Sequence, residues 1–516
     1  MSIARTAARH TLILMATRVT GMVSALVSVV FYTRVLKQSD VALISVLGML
    51  GSLSYLVSNM GLGLYLARQM PRLRVSEPEQ AARLSHAFVA VTTGMLIVCS
   101  LAVVAGSKVL AGLLLEDDQT ETVSASADAF HVALLAPAIL ALGFNSIVWQ
   151  LMRGCSLFTQ MGINTLLSQI IQPVSAIGSY LLFGTPGMLL GMAGANAVVA
   201  LVGAVHVRHY LIGPVRWREI LRYIRESWPF YAEDYAGYLV MFADQWLVGL
   251  LMTPSALATY YIPRTLCDRL FTLIESMNNV ALANISTIAA DGVTAVRHGF
   301  ERLRRVYIYV LVPVCTALMI GSFWLIDLLG GPAYRAGAAP FMVLTLVLLV
   351  SGGFSPHSMC VMVLASPKKR LVSIILQSIT LLATLVPFGW TLGLAGIAAS
   401  RVAAKLAHGI YSVHLLRDIF SFRMDKQGLR TVLLPGALLA ACGLLQILLY
   451  RQWIVPMYLA VGLLVYAVVF LRLASPEDIR LIESLVPKPG ASLVRLLRGR
   501  ERSAKAEEVL TGSGLR

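Results

Sequence analysis

One stretch of the chain determines how the rest is interpreted. It spans residues 229–290 and reads PFYAEDYAGYLVMFADQWLVGLLMTPSALATYYIPRTLCDRLFTLIESMNNVALANISTIAA. Most of it is apolar enough to lie in a bilayer, yet it carries seven charged residues: Glu233, Asp234, Asp244, Arg264, Asp268, Arg269 and Glu275. A charge near the bilayer centre costs roughly 3 kcal/mol, so such residues usually face a bundle interior or a wet cavity. The stretch therefore predicts a helical hairpin that lines a polar route through a membrane protein.

The composition of the whole chain supports a polytopic membrane protein. Its 516 residues are 57% hydrophobic and only 13% charged, with a mean hydropathy of +0.76. A soluble domain carries about 25% charged residues. The first apolar run, residues 11–32, is too long for a signal-peptide core and is interpreted as the first span, so no cleaved leader is expected. The six cysteines show no CxxC spacing, and neither a metal site nor another cofactor is predicted.

Apolar windows of about 20 residues predict fourteen transmembrane helices in an all-α fold. The approximate ranges are 11–32, 41–66, 86–107, 129–151, 159–183, 185–206, 229–252, 256–290, 306–329, 337–365, 371–390, 393–416, 431–449 and 453–473. We predict two six-helix bundles, 1–206 and 229–416, joined by an amphipathic cytoplasmic linker, 207–228. Transmembrane helices 13 and 14 then fill 417–473, and 474–516 form a basic cytoplasmic tail. A weak repeat, offset by about 215 residues between the segments after Arg34 and Gly249, agrees with two bundles.

The basic residues predict the orientation of the spans. With a cytoplasmic N-terminus, 32 of the 42 Lys and Arg fall in cytoplasmic segments and five in outer segments, which is the bias of the positive-inside rule. Both termini are then cytoplasmic. The net charge of +16 reflects this topology and contact with anionic lipids, so no nucleic acid is expected as a partner. The sequence has no oligomer signal, and we predict a monomer.

Enzymatic functions are disfavoured by what the loops lack. The longest outer loop, near 108–128, has about 20 residues, too few for an extramembrane catalytic domain. The sequence contains no Walker-type phosphate loop and no HExxH motif, so neither ATP hydrolysis nor zinc chemistry is indicated. His357 is alone in its span and is interpreted as a packed residue. We predict that the protein is not an enzyme.

Four short motifs carry a family resemblance. They are FYTRVLKQSDVALISVLGMLGSLSYLVSNMGLG at 31–63, ADQWLVG at 243–249, LATYY at 257–261 and LGGPAYR at 329–335. Together they resemble the Wzx-type flippases of lipid-linked polysaccharide and O-antigen precursors, in the multidrug/oligosaccharidyl-lipid/polysaccharide exporter superfamily. Ala42 and Ala258 depart from the pattern, because that family usually has glycine there.

The resemblance implies a transporter of the bacterial cytoplasmic (inner) membrane. It would flip an undecaprenyl-pyrophosphate-linked oligosaccharide for polysaccharide biosynthesis, by alternating access without ATP hydrolysis. The partners implied are that substrate, membrane lipids, H+ or Na+, and other polysaccharide assembly proteins. Two alternatives stay open: a peptidoglycan lipid II flippase, which also has fourteen spans, and a cation-coupled multidrug antiporter. The five cations inside the spans argue against the antiporter.

Those five cations are the candidate substrate-binding residues. Arginine suits phosphate because its planar fork donates hydrogen bonds in pairs, and a pyrophosphate head group needs cations in a semi-dry cavity. The residues are Arg18, Arg264, Arg269, Arg401 and Lys405. By the resemblance, spans one, two, seven and eight line the cavity. Three alternatives stay open: Arg18 snorkels to the head groups, Arg264 pairs with Asp268 one turn away, or Arg401 and Lys405 stabilise packing.

Three carboxylates inside the spans are the candidate ion-coupling residues: Asp244, Asp268 and Glu275. A carboxylate buried in a bilayer can carry a proton between two states of a transporter. Asp244 is the strongest candidate because it lies in mid-span. Its alternative role is as a salt-bridge partner for an arginine of span eight.

Overall fold

The described part of the chain is built from α-helices. A computed structural model of the protein describes residues 20–114, 129–288, 292–365, 367–419 and 441, and no strand occurs among them. The helices are α1 Thr20–Val35, α2 Gln38–Asn59, α3 Leu62–Ser76, α4 Pro78–Ala105, α5 Ser107–Leu114, α6 Leu135–Gly154, α7 Phe158–Val207, α8 Trp217–Leu251, α9 Pro254–Ile288, α10 Val293–Ile320, α11 Ser322–Gly330, α12 Ala338–Leu364 and α13 Pro367–Ile419. Short 3-10 turns cover Arg208–Tyr210 and Pro332–Gly337. The predicted all-α fold is confirmed.

Length and apolarity mark these helices as membrane spans. Six of the described helical segments are long and apolar enough to cross a bilayer, and the bent pair Leu311–Ile320 and Ser322–Gly330 adds a seventh. Large side chains such as Leu182 and Trp390 are exposed on the surface, as expected where lipid rather than water is the neighbour. The chain is thus a multi-pass membrane protein. The count of fourteen stays a prediction, since the helices predicted at 431–449 and 453–473 and the tail at 474–516 lie outside the described residues apart from residue 441.

The two longest helices are each broken at a glycine. The backbone leaves the helical region at Gly184 in α7 (φ 66°, ψ −150°) and at Gly393 in α13 (φ 59°, ψ −139°). The first break lies at the predicted turn between spans 159–183 and 185–206, and the second lies at the start of the predicted span 393–416. Glycine adopts a positive φ at no steric cost. Three residues later, Gly187 and Gly396 pack so closely on the preceding helix that a Cβ would clash with the carbonyl oxygens of Ser179 and Phe388. The same local construction thus recurs 209 residues apart.

Two predicted spans have different shapes in the structure. The span predicted at 41–66 ends at Asn59, and a new helix starts at Leu62. Between them Met60 and Gly61 take positive φ values of 46° and 73°, and Gly61 lies against the backbone of α8 at Tyr231 with no room for a Cβ. The span predicted at 306–329 is also not one straight helix, because α10 and α11 meet at an angle of 66°.

The linker predicted at 207–228 is not a separate surface helix. After the 3-10 turn, α8 begins at Trp217 and continues through Pro229 to Leu251. Its first turns are amphipathic, as predicted, but their apolar face packs on the protein. Ile220 and Tyr223 are buried in a cluster with Leu84 and Phe88 of α4. This helix therefore joins the surface segment and the predicted seventh span into one element.

Candidate functional site

A cluster of charged side chains is buried where α8, α9 and α13 meet. Its centre is Asp244, whose side chain is 0% exposed. The Oδ2 atom of Asp244 accepts hydrogen bonds from Tyr260 Oη at 2.8 Å, Arg264 Nε at 3.1 Å and Arg401 Nη1 at 2.7 Å. Arg264 also forms an ion pair with Asp268, one helical turn further along α9. The Asp268 side chain is 40% exposed, so the two arginines are paired with one buried and one partly accessible carboxylate.

The helices bring these groups to a similar depth from one end of the fold. At ~1.5 Å per residue, Asp244 lies about 10 Å before the end of α8, and Arg264 about 15 Å after the start of α9. Arg401 follows the break at Gly393 by about 12 Å on the same scale. Tyr260 and Arg264 are four residues apart, so both face α8 from one side of α9. The cluster is thus a layer at one depth of the helical fold. Of its three helices, α13 is among the described segments that are long and apolar enough to cross a membrane, whereas the charged α8 and α9 are not.

The bonding of Arg264 limits what it can do in this conformation. Its Nε contacts Asp244, its Nη1 contacts Asp268, and its Nη2 donates to the Met241 carbonyl oxygen at 2.7 Å. All three nitrogens are engaged, and the side chain is 2% exposed. The other carboxylate oxygen, Asp244 Oδ1, is buried and has no hydrogen-bond partner among the described residues. Asp244 is therefore a shared acceptor that holds two arginines in place.

The remaining predicted site residues lie at different distances from this cluster. Lys405 is one turn beyond Arg401, with its Nζ 5.3 Å from the centre of the Phe271 ring, which is a cation–π contact. Glu275 lies within electrostatic range of Lys405. Arg269 is exposed and does not join the cluster. Arg18 lies outside the described residues.

Sequence reasoning missed one member of the cluster, Tyr260, and one contact, that of Arg401 with Asp244. The spacing could have indicated Tyr260, because it precedes Arg264 by one helical turn. The contact between Arg401 and Asp244 spans 157 positions and has no local signal. Glu233 and Asp234 are also partnered: Glu233 forms an ion pair with Arg370 of α13, and Asp234 accepts a hydrogen bond of 3.4 Å from Asn59 of α2.

The first and second halves of the chain contact each other at both ends of the fold. At the end where α8 turns into α9, Ser255 Oγ donates to Gln38 Oε1 at 2.6 Å. Thr33 Oγ1 donates to the Leu329 carbonyl oxygen at 2.5 Å on the same side. At the opposite end, Ser227 Oγ of α8 donates to the Met60 carbonyl oxygen at 2.9 Å. The charged cluster thus lies between two contact zones that connect α1 and α2 with the second half.

The solved structures that resemble this fold include a flippase and multidrug transporters. A lipid II flippase, MurJ, in an inward closed conformation aligns over 90% of this chain and 98% of its own, with a TM-score of 0.67 at 12% identity. An inward-facing MATE family multidrug transporter of the MOP superfamily aligns over 80% and 98%, with a TM-score of 0.64 at 14% identity. A Vibrio cholerae MATE transporter aligns over 80% and 98%, with a TM-score of 0.56 at 12% identity. At these identities the likeness defines the fold.

The family follows from the sequence itself. The family model described as polysaccharide biosynthesis protein matches residues 31–339, which is more than half of the chain. The chain therefore belongs to the polysaccharide biosynthesis protein family, and the resemblance indicated by its motifs is confirmed. A comparison with curated proteins returned no match.

Proposed function

We propose that the protein flips a lipid-linked oligosaccharide, of the undecaprenyl-pyrophosphate type, across the bacterial cytoplasmic membrane for polysaccharide assembly. It does so by alternating access, without ATP hydrolysis or other enzymatic chemistry. Both termini lie in the cytoplasm, and the protein works as a monomer beside other polysaccharide assembly proteins. The observation that carries the proposal is the buried cluster of Asp244, Arg264 and Arg401, in a fold and a family that fit such transport.

The cluster provides a way to bind and release a pyrophosphate. Without substrate, Arg264 and Arg401 donate to Asp244, so neither arginine carries an unpaired charge in the membrane. Phosphate oxygens are the same kind of acceptor as a carboxylate and bind arginine with similar geometry. An anionic head group can therefore replace Asp244 as the partner of the two arginines. Lys405, one turn from Arg401, and Arg269 and Arg18 are the further cations proposed for the head group.

Ion coupling follows from the same exchange. A proton, or Na+, on Asp244 removes the charge that holds the arginines and leaves them free for substrate. Deprotonation restores the ion pairs and expels the anion, because one carboxylate and one pyrophosphate compete for the same donors. Asp268 and Glu275 are the secondary candidates for the coupling site.

Deletion of the gene, followed by analysis of lipid-linked sugars and surface polymer, tests the proposal. The expected result is accumulation of a complete lipid-linked repeat and loss of surface polysaccharide. Wild-type protein and Glu79→Gln should restore the polymer, since Glu79 is a fully accessible carboxylate whose only described ion pair is with Arg83. Asp244→Asn at equal membrane abundance should not. Lys405→Gln should reduce the rate while leaving some transport.

Three results would contradict the proposal. Unchanged polysaccharide and lipid intermediates with new drug sensitivity would favour a multidrug antiporter. Accumulation of a peptidoglycan precursor would favour a lipid II flippase. Full transport by Asp244→Asn would remove the assigned role of the cluster while leaving the substrate assignment standing.

A further inference from the structure

The first half of the chain contains a partly open polar cavity that the charged cluster does not share. Its volume is about 360 Å³, within the range of about 300–1,000 Å³ typical of small-ligand sites. Helices α2, α6 and α7 contribute its walls. The lining consists of hydroxyls, amides and two aromatic rings: Tyr55, Asn145, Ser146, Trp149, Gln150, Asn164, Thr165 and Ser168.

The cavity lies toward the opposite end of the fold from the Asp244 cluster. Tyr55 is about 6 Å before the end of α2, and Asn164 about 9 Å after the start of α7, at ~1.5 Å per residue. The start of α2 lies at the other end, where Gln38 contacts Ser255 beside the α8–α9 turn. The two features therefore occupy different depths in the membrane-spanning region and different halves of the chain.

Several polar atoms of this cavity have no partner in the described part of the chain. Asn164 is 3% exposed. Its Nδ2 donates weakly to Asn145 Oδ1 at 3.4 Å, while its Oδ1 accepts no hydrogen bond. The buried Tyr55 Oη and Gln150 Oε1 interact with each other but form no hydrogen bond of good geometry there, so Asn164 Oδ1 is the clearest unpartnered atom of the lining. Such groups are costly inside a membrane protein unless a ligand or water satisfies them.

The chemistry of the lining selects the class of ligand. None of the eight lining residues carries a carboxylate, amine or guanidinium, which disfavours an ionic ligand. Amides and hydroxyls both donate and accept hydrogen bonds, as sugar hydroxyls do. Trp149 and Tyr55 offer flat apolar faces with polar edges, and a sugar ring presents a C–H face and a rim of hydroxyls. Two charges lie near the cavity but outside its lining: the Arg153 guanidinium, 5.9 Å from the centre of the Trp149 ring, and Asp234, within electrostatic range of Tyr55.

We propose that this cavity binds an uncharged saccharide unit of the transported head group. Asn164 and Gln150 are the hydrogen-bonding residues and Trp149 is the stacking residue. The assignment rests on the proposed function and adds a neutral sugar subsite to the charged site proposed for pyrophosphate. Recognition of the head group is then divided between the two halves of the protein.

Saturation-transfer NMR on the full-length protein tests the subsite directly. The protein is placed in nanodiscs of phosphatidylethanolamine and phosphatidylglycerol, which carry no sugar ring, and is probed with uncharged methyl glycosides. We expect saturation transfer to at least one glycoside, with affinity reduced about tenfold or more by Asn164→Leu and by Trp149→Leu. The matched controls are Asn196→Leu, a buried α7 amide that donates to the Met192 carbonyl, and Trp228→Leu, an exposed indole. Both controls should bind as the wild type does.

The result that overturns the inference is distinct from failure of the proposed function. Absence of glycoside binding, or binding that Asn164→Leu and Trp149→Leu leave unchanged, assigns the cavity to water alone and overturns the subsite. Competition by the lipid-linked oligosaccharide from the deletion strain supports it, whereas competition only by a glucosyl-diacylglycerol overturns its assignment to the substrate. The proposed function itself fails only when deletion leaves lipid-linked intermediates unchanged, whatever glycosides bind.

Discussion

The charged cluster of the second half and the neutral cavity of the first half treat buried polarity in opposite ways. Around Asp244, charges pair with one another: Oδ2 accepts from Tyr260, Arg264 and Arg401, and only Oδ1 is left without a hydrogen bond among the described residues. Around Asn164, polar atoms are left without partners in the described part of the chain. A cluster of paired charges is stable until a competing ion replaces one of the partners. Polar atoms without partners gain hydrogen bonds from any neutral molecule that fits the cavity.

The contrast is sharper because the two halves share a backbone construction. The glycine breaks at Gly184 and Gly393 have nearly the same φ and ψ, and each is followed by a glycine pressed against the preceding helix. A repeated scaffold thus carries two different sets of side chains. The fold fixes where a site can be, and the side chains decide what it binds.

The largest effect should come from the centre of the cluster. Asp244→Asn leaves Arg401 without its carboxylate and Arg264 with Asp268 alone, and breaking a buried ion pair costs about 3–5 kcal/mol. We expect a markedly lower Tm in detergent and loss of transport. Adding Arg401→Gln to Asp244→Asn should recover part of the stability, because it removes one uncompensated charge. Equal Tm values for wild type and Asp244→Asn would show that the ion pairs of the cluster do not stabilise the protein.

The shared scaffold makes a prediction of intermediate size. Gly187→Ala should destabilise the protein by about 1–3 kcal/mol, since the new methyl group overlaps the Ser179 carbonyl oxygen. Gly396→Ala should do the same at Phe388. Gly194→Ala in α7 is the matched control, because a Cβ there has no neighbour within 4 Å, and a small gain from helix propensity is expected. Thermal unfolding of all three variants checks this. If Gly396→Ala left the stability unchanged, the two glycine breaks would not be structurally equivalent.

The neutral cavity should respond differently from the cluster. Asn164→Leu removes a buried unpartnered amide oxygen, so stability should stay within about 1 kcal/mol of the wild type. Transport should nevertheless fall, because the sugar loses a hydrogen-bonding partner. Unfolding curves and polysaccharide yield, measured together, separate the two effects. A destabilisation as large as that of Asp244→Asn would mean that Asn164 is a structural residue.

The smallest effect should come from a charge pair at the surface. Arg83 and Glu79 form an exposed i,i+4 ion pair at 3.2 Å, and such pairs contribute about 0.3–0.5 kcal/mol. Glu79→Gln should therefore leave the Tm and transport nearly unchanged at physiological salt. A large effect would indicate that Tm and transport respond to the loss of any carboxylate, and the effect of Asp244→Asn would then not be specific to the buried cluster.

The sequence predicted those parts of the fold that have a local cause. Apolar windows found the helices, and their ends placed two short turns at or beside the breaks at Gly184 and Gly393. The break at Met60 and Gly61 was missed because apolar residues continue through it, while its cause is the close crossing of α8. The bend between α10 and α11 was missed for a similar reason, since the run of apolar residues is continuous there.

The candidate site divides in the same way. Charges inside apolar spans identified Asp244, Arg264 and Arg401, because ionised groups in a bilayer are rare. The sequence did not predict that all three contact one another, because Arg401 and Asp244 are 157 positions apart. The neutral cavity gave no signal, because residues such as Asn164 and Thr165 are ordinary in a sequence. Only their convergence in space distinguishes them.

The continuity of α8 has a mechanical consequence. This helix has 35 residues and is about 52 Å long at ~1.5 Å per residue. It carries Asp244 near one end, and at the other Ile220 and Tyr223 are embedded against α4. A tilt of about 5° around either end moves the opposite end by about 4.5 Å, close to one helical turn. Under the proposed function, an exchange of partners at Asp244 would therefore be coupled to a displacement of the end of α8 that packs on α4.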